Sequence, residues 1–305
     1  MASETVDTQR RRSGSGVSGA APPRRQDAPQ KSGRSGFTLV TTVILTLFAV
    51  AWLIPLLWAV KTSVTPNADA ALGAGEILRN ATPTLGSYST LFAAGDIWNW
   101  YLASAITSVV TVVLTVLFAS MAAYPLSRLK FRGRRIVFVL MVLGIMVPGQ
   151  VLVVPIFQEL DTFGLLNTYW AVIFPQVPAV IAVFVFKQFF DGLPRELEEA
   201  ARIDGASFWR IYRSIIMPLS KPIVAAMAIL TFVNVWNNLL LPLFVVSNPE
   251  LMTIPVGLAT VQGSYGQRFA DIQASAILGA LPLVVLFVFF QRRIIEGVAG
   301  TGLKG

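Results

Sequence analysis

The sequence predicts an all-α integral membrane protein of six transmembrane helices with a polar cytoplasmic insert. Three observations predict it. The 305 residues are 54% hydrophobic and 13% charged, about half the charge of an average soluble domain. The apolar residues gather into six charge-free runs, 37–60, 97–127, 136–158, 162–186, 222–249 and 272–291, each long enough for the roughly 20 residues of a helical span. Twenty-one of the 24 Lys and Arg fall between alternate runs or at the ends of the chain. Only helices and closed barrels satisfy their backbone hydrogen bonds in lipid, and these runs lack the alternation of barrel strands.

Taken in order, residues 1–36 are rich in Ser, Gly, Pro and Arg. That composition predicts a disordered basic segment, because it offers no apolar surface to bury. The first run, 37–60, is span-length and lacks a small-residue cleavage site, so it reads as a span and not as a signal peptide. The loop 61–96 holds Pro66, Pro83, Gly73, Gly75 and Gly86 and is expected to be irregular with one short helix. A tight basic turn, 128–135, joins runs two and three. A very short loop near Glu159–Asp161 makes runs three and four a close hairpin. Residues 187–221 form a long polar insert, and the loop 247–271 follows run five. Within it, 251–267 is charge-free but short, and its glycines predict a loop dipping toward the helices.

An even number of spans puts both termini on one side. The three remaining basic residues, Lys61, Arg79 and Arg268, lie on the other. The excess marks the cytoplasmic side, so both termini are expected in the cytoplasm. Basic span flanks account for the net charge of +8 without any nucleic-acid partner. Prolines 55, 125, 148, 155, 175, 178, 242 and 282 fall inside the runs. Each removes a backbone donor and kinks its helix, either for packing or to line a translocation path.

The sequence contains no His and no Cys, and no carboxylate falls within a run. No catalytic residue, metal site or cofactor site is therefore expected. An intramembrane enzyme has no groups to work with. A secondary transporter would require an intramembrane ionisable residue that the runs lack.

The insert carries the most specific signal. Pro194 suits a first helical turn, and Glu196, Glu198 and Glu199 lie near the positive helix N-terminus. Leu197, Ala200 and Ala201 share a small apolar face. Gly205 fits the position past a helix end, and Ser207 can cap a second helix. Two short helices joined at a glycine make a narrow knob that fits a groove on another protein, or an amphipathic loop that lies on the membrane. The order Glu199-Ala200-Ala201, three residues, Gly205, nine residues, Ile215-Ile216-Met217-Pro218 resembles the cytoplasmic "EAA" loop of ABC importer permeases. The usual ending is Ile-x-Leu-Pro, and Met217 is a volume-conserving exchange for the leucine. The text 193–207, Trp236-Asn237-Asn238, the segment 253–258 and the tail Gln291-Arg292-Arg293 with Gly302-Leu303-Lys304-Gly305 resemble the sugar-importing branch, close to the shorter permease of maltose-type importers. Many relatives carry an acidic residue where Asn238 stands.

The resemblance implies a permease subunit of an ATP-driven importer in the bacterial plasma membrane. Its implied organisation is a cytoplasmic segment 1–36, a six-span permease domain 37–294 and a cytoplasmic tail 295–305. Within the domain lie a coupling loop 191–218 and an outer scoop-like loop 250–271. Glu199, Ala200, Ala201, Asp204, Gly205 and Pro218 would couple to a dimer of separate ATP-binding subunits. No G-x-x-x-x-G-K-[S/T] is present in this chain to hold ATP. A second permease subunit would complete a heterodimer. An extracytoplasmic solute-binding protein would meet Gly257, Gln262, Gly263, Ser264 and Tyr265, unless that loop packs on its own bundle.

A sugar requires amide-type hydrogen bonds and aromatic platforms. Asn234, Asn237 and Asn238 in run five, with Gln150 and Gln176, are the substrate-path candidates. Asn234 and Asn238 are expected to share a helix face. Buried amides also join helices to one another, which is the alternative role for each. The resemblance leaves open a non-sugar solute such as a polyol phosphate or a peptide.

Overall fold

The longest apolar helix with a buried face organises the chain, and its sequence explains how. The computed structural model describes residues 36–79, 82–94, 96–265 and 268–302, without the side chains of 36, 37, 94, 262–265 and 292–302. The described residues form helices and connecting turns, with no strand among them. In chain order these are α1 (Gly36–Ser63), α2 (Asn67–Ala71), α3 (Ala74–Arg79), α4 (Gly86–Ala94), α5 (Ile97–Arg128), α6 (Arg134–Ile145), α7 (Val153–Thr162), α8 (Tyr169–Ile173), α9 (Val180–Asp191), α10 (Glu196–Ile203), α11 (Phe208–Ile211), α12 (Met217–Leu219), α13 (Lys221–Trp236), α14 (Leu240–Val245), α15 (Ile254–Tyr265) and α16 (Phe269–Gly302).

Along α5, Ala103, Ser104, Thr107, Ser108, Thr111, Thr115, Ala119, Ser120 and Ala123 are all buried. Their three- and four-residue spacing makes one continuous face of small side chains. Small residues let helix backbones approach closely where lipid supplies no hydrophobic drive. Some hydroxyls on this face bond within α5, as in Thr107 Oγ1 to the Ala103 carbonyl at 2.7 Å and Ser120 Oγ to the Val116 carbonyl at 2.7 Å, whereas Ser104 Oγ accepts from the Ile254 N–H at 2.7 Å and Thr115 Oγ1 donates to the Val177 carbonyl at 3.3 Å. α9, α13 and α15 pack on α5. One apolar core joins the C-terminal half of α5 to α9, α11 and the start of α13, with Phe186 and Phe190 fully buried. A second joins α4 and the N-terminal end of α5 to α15 and α16 around Trp100 and Trp236. A third joins α7, α8 and α14.

Among the described residues, three helical segments are long and apolar enough to cross a membrane singly, Thr38–Ser63, Ile97–Arg128 and Phe269–Gln291. Three further crossings are possible only as bent pairs. Arg134–Ile145 and Gly149–Thr162 meet at 90°, Tyr169–Gln176 and Val180–Asp191 at 45°, and Phe208–Leu219 and Lys221–Trp236 at 77°. Pro148 and Pro178 fall in the first two breaks, and Pro218 and Pro222 flank the third. A proline ring cannot donate to the preceding turn and displaces it, so each bend has a covalent cause. The chain divides into two compact units, Met1–Leu53 and Ile54–Gly305. Of the first unit, only the start of α1 is described, and its side chains from Thr38 onward are exposed.

Three expectations are corrected. The loop 61–96 holds three short helices, not one. Run 222–249 is not one helix. α13 stops at Trp236, and α14 begins after a break at 237–239. The segment 251–267 is helical over Ile254–Tyr265, because its glycines are spaced among residues that pack. The backbone of α16 continues to Gly302 through the start of the expected tail, with the side chains of 292–302 outside the described residues. The N-terminal segment, apart from its last residue, also lies outside the described residues.

Within α15, Gly257 is buried and allows the closest approach at any described glycine. A Cβ there would lie 2.2 Å from Cδ2 of Trp100. That indole cannot simply swing aside, since its Nε1 donates to the Pro249 carbonyl at 2.8 Å. Gly257→Val is expected to destabilise the protein by about 1–3 kcal/mol through overpacking. The check is the thermal unfolding midpoint in detergent, and an unchanged midpoint would show that α15 can move off α5.

Candidate functional site

The polar insert grows out of the end of α9. Asp191 closes that helix, and Arg195 stands at the entry of α10, whose first turn carries Glu196, Glu198 and Glu199. Three carboxylates at a helix N-terminus suit the positive end of the helix dipole. At the other end Gly205 has φ +77°. Its N–H donates to the Arg202 carbonyl at 3.0 Å, and the Ala206 N–H donates to the Ala201 carbonyl at 2.9 Å. These two bonds are a Schellman closure, which requires a left-handed residue at that position. Ser207 then accepts from the Arg210 N–H at 3.3 Å and starts α11. The Arg202 guanidinium lies 4.5 Å from the centre of the Phe208 ring and braces the turn between the two helices. The chain leaves through a π-helical turn, Tyr212–Ile216, before Pro218. Tyr212 fixes that turn to α5, with its hydroxyl 2.8 Å from Ser120 Oγ and its ring 5.5 Å from that of Tyr124.

Glu199, Ala200, Asp204, Gly205 and Pro218 are exposed, and Ala201 is half-buried in the core of α5 and α9. The apolar face expected from Leu197, Ala200 and Ala201 does not form as such, since Leu197 is 43% exposed. The residue that α10 buries is Glu198. Its Oε1 lies 3.0 Å from Nε of Arg128, and the two side chains are only 7% and 2% exposed. The pair is an ionic contact, without the alignment of a hydrogen bond at that nitrogen. Arg128 also donates from Nη2 to the carbonyls of Phe190 and Leu193, the latter at 2.8 Å. Beside it Ser127 Oγ donates to Asp191 Oδ1 at 2.6 Å. One guanidinium thus joins the end of α5, the end of α9 and the first turn of α10.

Sequence reasoning counted Arg128 only as a basic flank and Glu198 only as a helix-dipole charge. Nothing local links two residues seventy positions apart. The available hint was the position of Arg128 immediately after a charge-free run, on the same face as Tyr124.

The amide candidates divide. Gln150, Gln176 and Asn238 line one pocket of about 270 Å³ between the start of α7 and the start of α14. Asn238 Nδ2 donates to Gln176 Oε1 at 2.8 Å, and Gln176 Nε2 donates to the Val172 carbonyl at 2.7 Å. Asn238 Oδ1 also caps α14 by accepting from the Leu241 N–H at 3.3 Å. Asn234 and Asn237 are exposed elsewhere and turn back onto their own helix, to the carbonyls of Leu230 and Val233. The expected shared face of Asn234 and Asn238 is absent, because α13 ends between them. Of the residues expected to meet a binding protein, Gly257 is buried against Trp100. The side chains of Gln262, Gly263, Ser264 and Tyr265 lie outside the described residues.

Residues 115–294, which include the whole insert, match the family described as "Binding-protein-dependent transport system inner membrane component". The chain belongs to this family. The arabinooligosaccharides transport system permease protein AraQ of Halalkalibacterium halodurans is 40% identical over 87% of this chain and 95% of its own length. The trehalose transport system permease protein SugB of Mycobacterium tuberculosis is 33% identical over 86% of this chain and 96% of its own. A solved bacterial ABC transporter involved in the import of alginate shares the fold, with a TM-score of 0.73 and 21% identity over 84% of this chain and 95% of that one. This inner membrane component is therefore a multi-pass membrane protein and a transport subunit, not an enzyme.

The Arg128–Glu198 pair gives this permease a stability signature. Glu198→Leu leaves a buried guanidinium without its counter-charge and is expected to cost about 3–5 kcal/mol. Arg128→Met/Glu198→Leu is expected to recover part of that loss. Recovery is incomplete because the carbonyls of Phe190 and Leu193 lose their donor. Thermal unfolding of the purified variants checks the order, and a double variant less stable than Glu198→Leu would refute it.

Proposed function

We propose that this chain is one of two permease subunits of an ATP-driven importer that takes up a sugar or oligosaccharide delivered by an extracytoplasmic binding protein. The observation that carries the reading is the exposed α10–Gly205–α11 knob, anchored from below by a buried ion pair. Identity to AraQ and SugB, whose names give oligosaccharide and trehalose transport, supports the substrate class. In this reading α1, α5 and α16 each cross the bilayer once, as do the bent pairs Arg134–Thr162 and Tyr169–Asp191 and the helix α13 followed by α14, while α11 stays with the knob outside the bilayer. The whole of 37–294 is the permease domain, and both termini face the cytoplasm.

The coupling follows from the geometry. Glu199, Ala200, Asp204 and Gly205 present a narrow, partly acidic surface to a cleft on a separate ATP-binding subunit, which occurs as a dimer. Closure of that dimer displaces α10. The Arg128 contacts leave α10 no independent movement from the ends of α5 and α9, so the displacement is delivered to the membrane helices. Residues 191–218 thus act as a stiff lever. The pocket of Gln150, Gln176 and Asn238 lies where two helices break, and it offers amide donors and acceptors to sugar hydroxyls without introducing a charge into the bilayer. The helix Ile254–Tyr265, within 250–271, faces the binding protein through residues beyond the buried Gly257.

Gly205 tests the coupling. No atom lies within 4 Å of a Cβ placed there, so the cost of a side chain is conformational, about 1–2 kcal/mol for a left-handed residue. Gly205→Val is expected to abolish transport while the subunits still copurify with an ATPase. Gly205→Asn, which tolerates that conformation, is expected to retain transport. Normal sugar uptake by Gly205→Val would sink the coupling role. Failure of both variants would show that the docking surface excludes any side chain at that position.

The substrate path has its own test. Gln176→Leu/Asn238→Leu removes the paired amides at the pocket. If a sugar hydroxyl meets them, each lost contact is worth about 1–3 kcal/mol, and uptake should fall at least several-fold with normal assembly. Unchanged uptake would assign the sugar site to the second permease subunit. A complex that no longer assembles would make the amides a helix-to-helix fastening.

A further inference from the structure

We infer that the chain holds an anionic phospholipid headgroup in a basic pocket where α6 begins against the side of α9. The pocket measures about 560 Å³ and is lined by Phe131, Arg134, Arg135, Ile136, Phe138 and Lys187, together with Gly133. Two separate elements supply its cations. Arg134 and Arg135 open α6, and Lys187 projects from α9. Lys187 is held in place, with Nζ 2.6 Å from Asp191 Oδ2 and 4.8 Å from the centre of the Phe138 ring. Asp191 offsets that one cation. Arg134 makes one long contact, 3.4 Å from Nη1 to the Leu129 carbonyl, and Arg135 is exposed. Two positive charges therefore remain for an incoming anion. The Arg134 N–H donates to the Phe131 carbonyl at 3.4 Å, which leaves the N–H groups of Arg135 and Ile136 in the first turn of α6 as further donors at the same place.

The apolar half of the site identifies the occupant. α6 buries none of its residues. Ile136, Leu140 and Leu143 are 65%, 62% and 51% exposed. Their spacing of four and three puts them on one face, as a track that starts at the cations and runs away along the helix. A phosphodiester with acyl chains matches both halves, with phosphate on the arginines and chains along the track. Free phosphate would use only the first half. A zwitterionic lipid would carry its own cation into a pocket that already has two in excess. Attraction of basic clusters beside a membrane helix for anionic lipid amounts to about 1 kcal/mol per Lys or Arg.

The test is native mass spectrometry of the full-length chain, purified with its copurifying subunits and exposed to mixed micelles of phosphatidylglycerol and phosphatidylcholine. Wild type is expected to retain phosphatidylglycerol in preference to phosphatidylcholine. Arg134→Gln/Arg135→Gln is expected to lower that retention about tenfold or more. Arg134→Lys/Arg135→Lys and the distant Arg79→Gln should keep it. If the double Gln variant fails to accumulate, Arg135→Gln alone serves, since that side chain is exposed. Equal retention by wild type and the Gln variants overturns the proposal. So does displacement of the lipid by millimolar inorganic phosphate, which would make the pocket a free-anion site. Absence of any lipid adduct on wild type, with the pocket covered by a partner chain, overturns it as well.

Discussion

A single guanidinium, withdrawn from water at the end of α5, sets the arrangement of the polar half of this permease. The cationic side chain of Arg128 is 2% exposed. It must therefore find a counter-charge and acceptors within the protein. Glu198 supplies the first, and the carbonyls at the end of α9 supply the second. The consequence is mechanical. Burial of an ion pair is a poor source of net stability, yet breaking one is costly. Such a pair resists partial separation more than an apolar contact of equal area, which can slide. A joint between an insert and the helices beneath it gains from that stiffness.

The small-residue face of α5 provides the complementary constraint. Ala, Ser and Thr along one side allow α9, α13 and α15 to approach closely, and Gly257 continues the same device from the opposing helix. A close backbone approach makes dispersion contacts numerous where water cannot drive association. Bulk is concentrated at the two ends, in Phe186 and Phe190 near the insert and in Trp100 and Trp236 at the far end.

Much of this was legible in the sequence, and the reasons are local. Charge-free runs mark apolar helices because span length is a one-dimensional property. Gly205 and Ser207 announce their caps because capping depends on the residue itself and its immediate neighbours. The reading failed where tertiary contact decides. The ion pair of Arg128 and Glu198 requires knowledge of which helix ends meet. The break at Asn237 falls in a charge-free run, where charge gives no warning and the asparagines read equally as pore-lining groups. The glycines of 251–267 suggested a loop, yet Gly257 is there for the indole of Trp100, a partner far away in sequence. Of five amides proposed for one path, three converge on a pocket and two do not, because phase around a helix was extrapolated through a helix end.

The π turn at Tyr212–Ile216 carries a geometric consequence for everything after it. Tyr212, Ile216 and Ser220 are buried at a repeat of four residues. In an α-helix that repeat drifts by about 40° at each step, since each residue turns about 100°. A turn with one residue more takes up the drift and keeps the buried row aligned with α5. The extra residue is thus a phase correction. It fixes the angle at which the chain enters the bend at Ser220, and so the rotation of α13 that brings Trp236 Nε1 within 3.0 Å of the Gly279 carbonyl. Loss of one residue from 212–216 would leave the composition of every helix intact and turn the following face about 100° away from its partners.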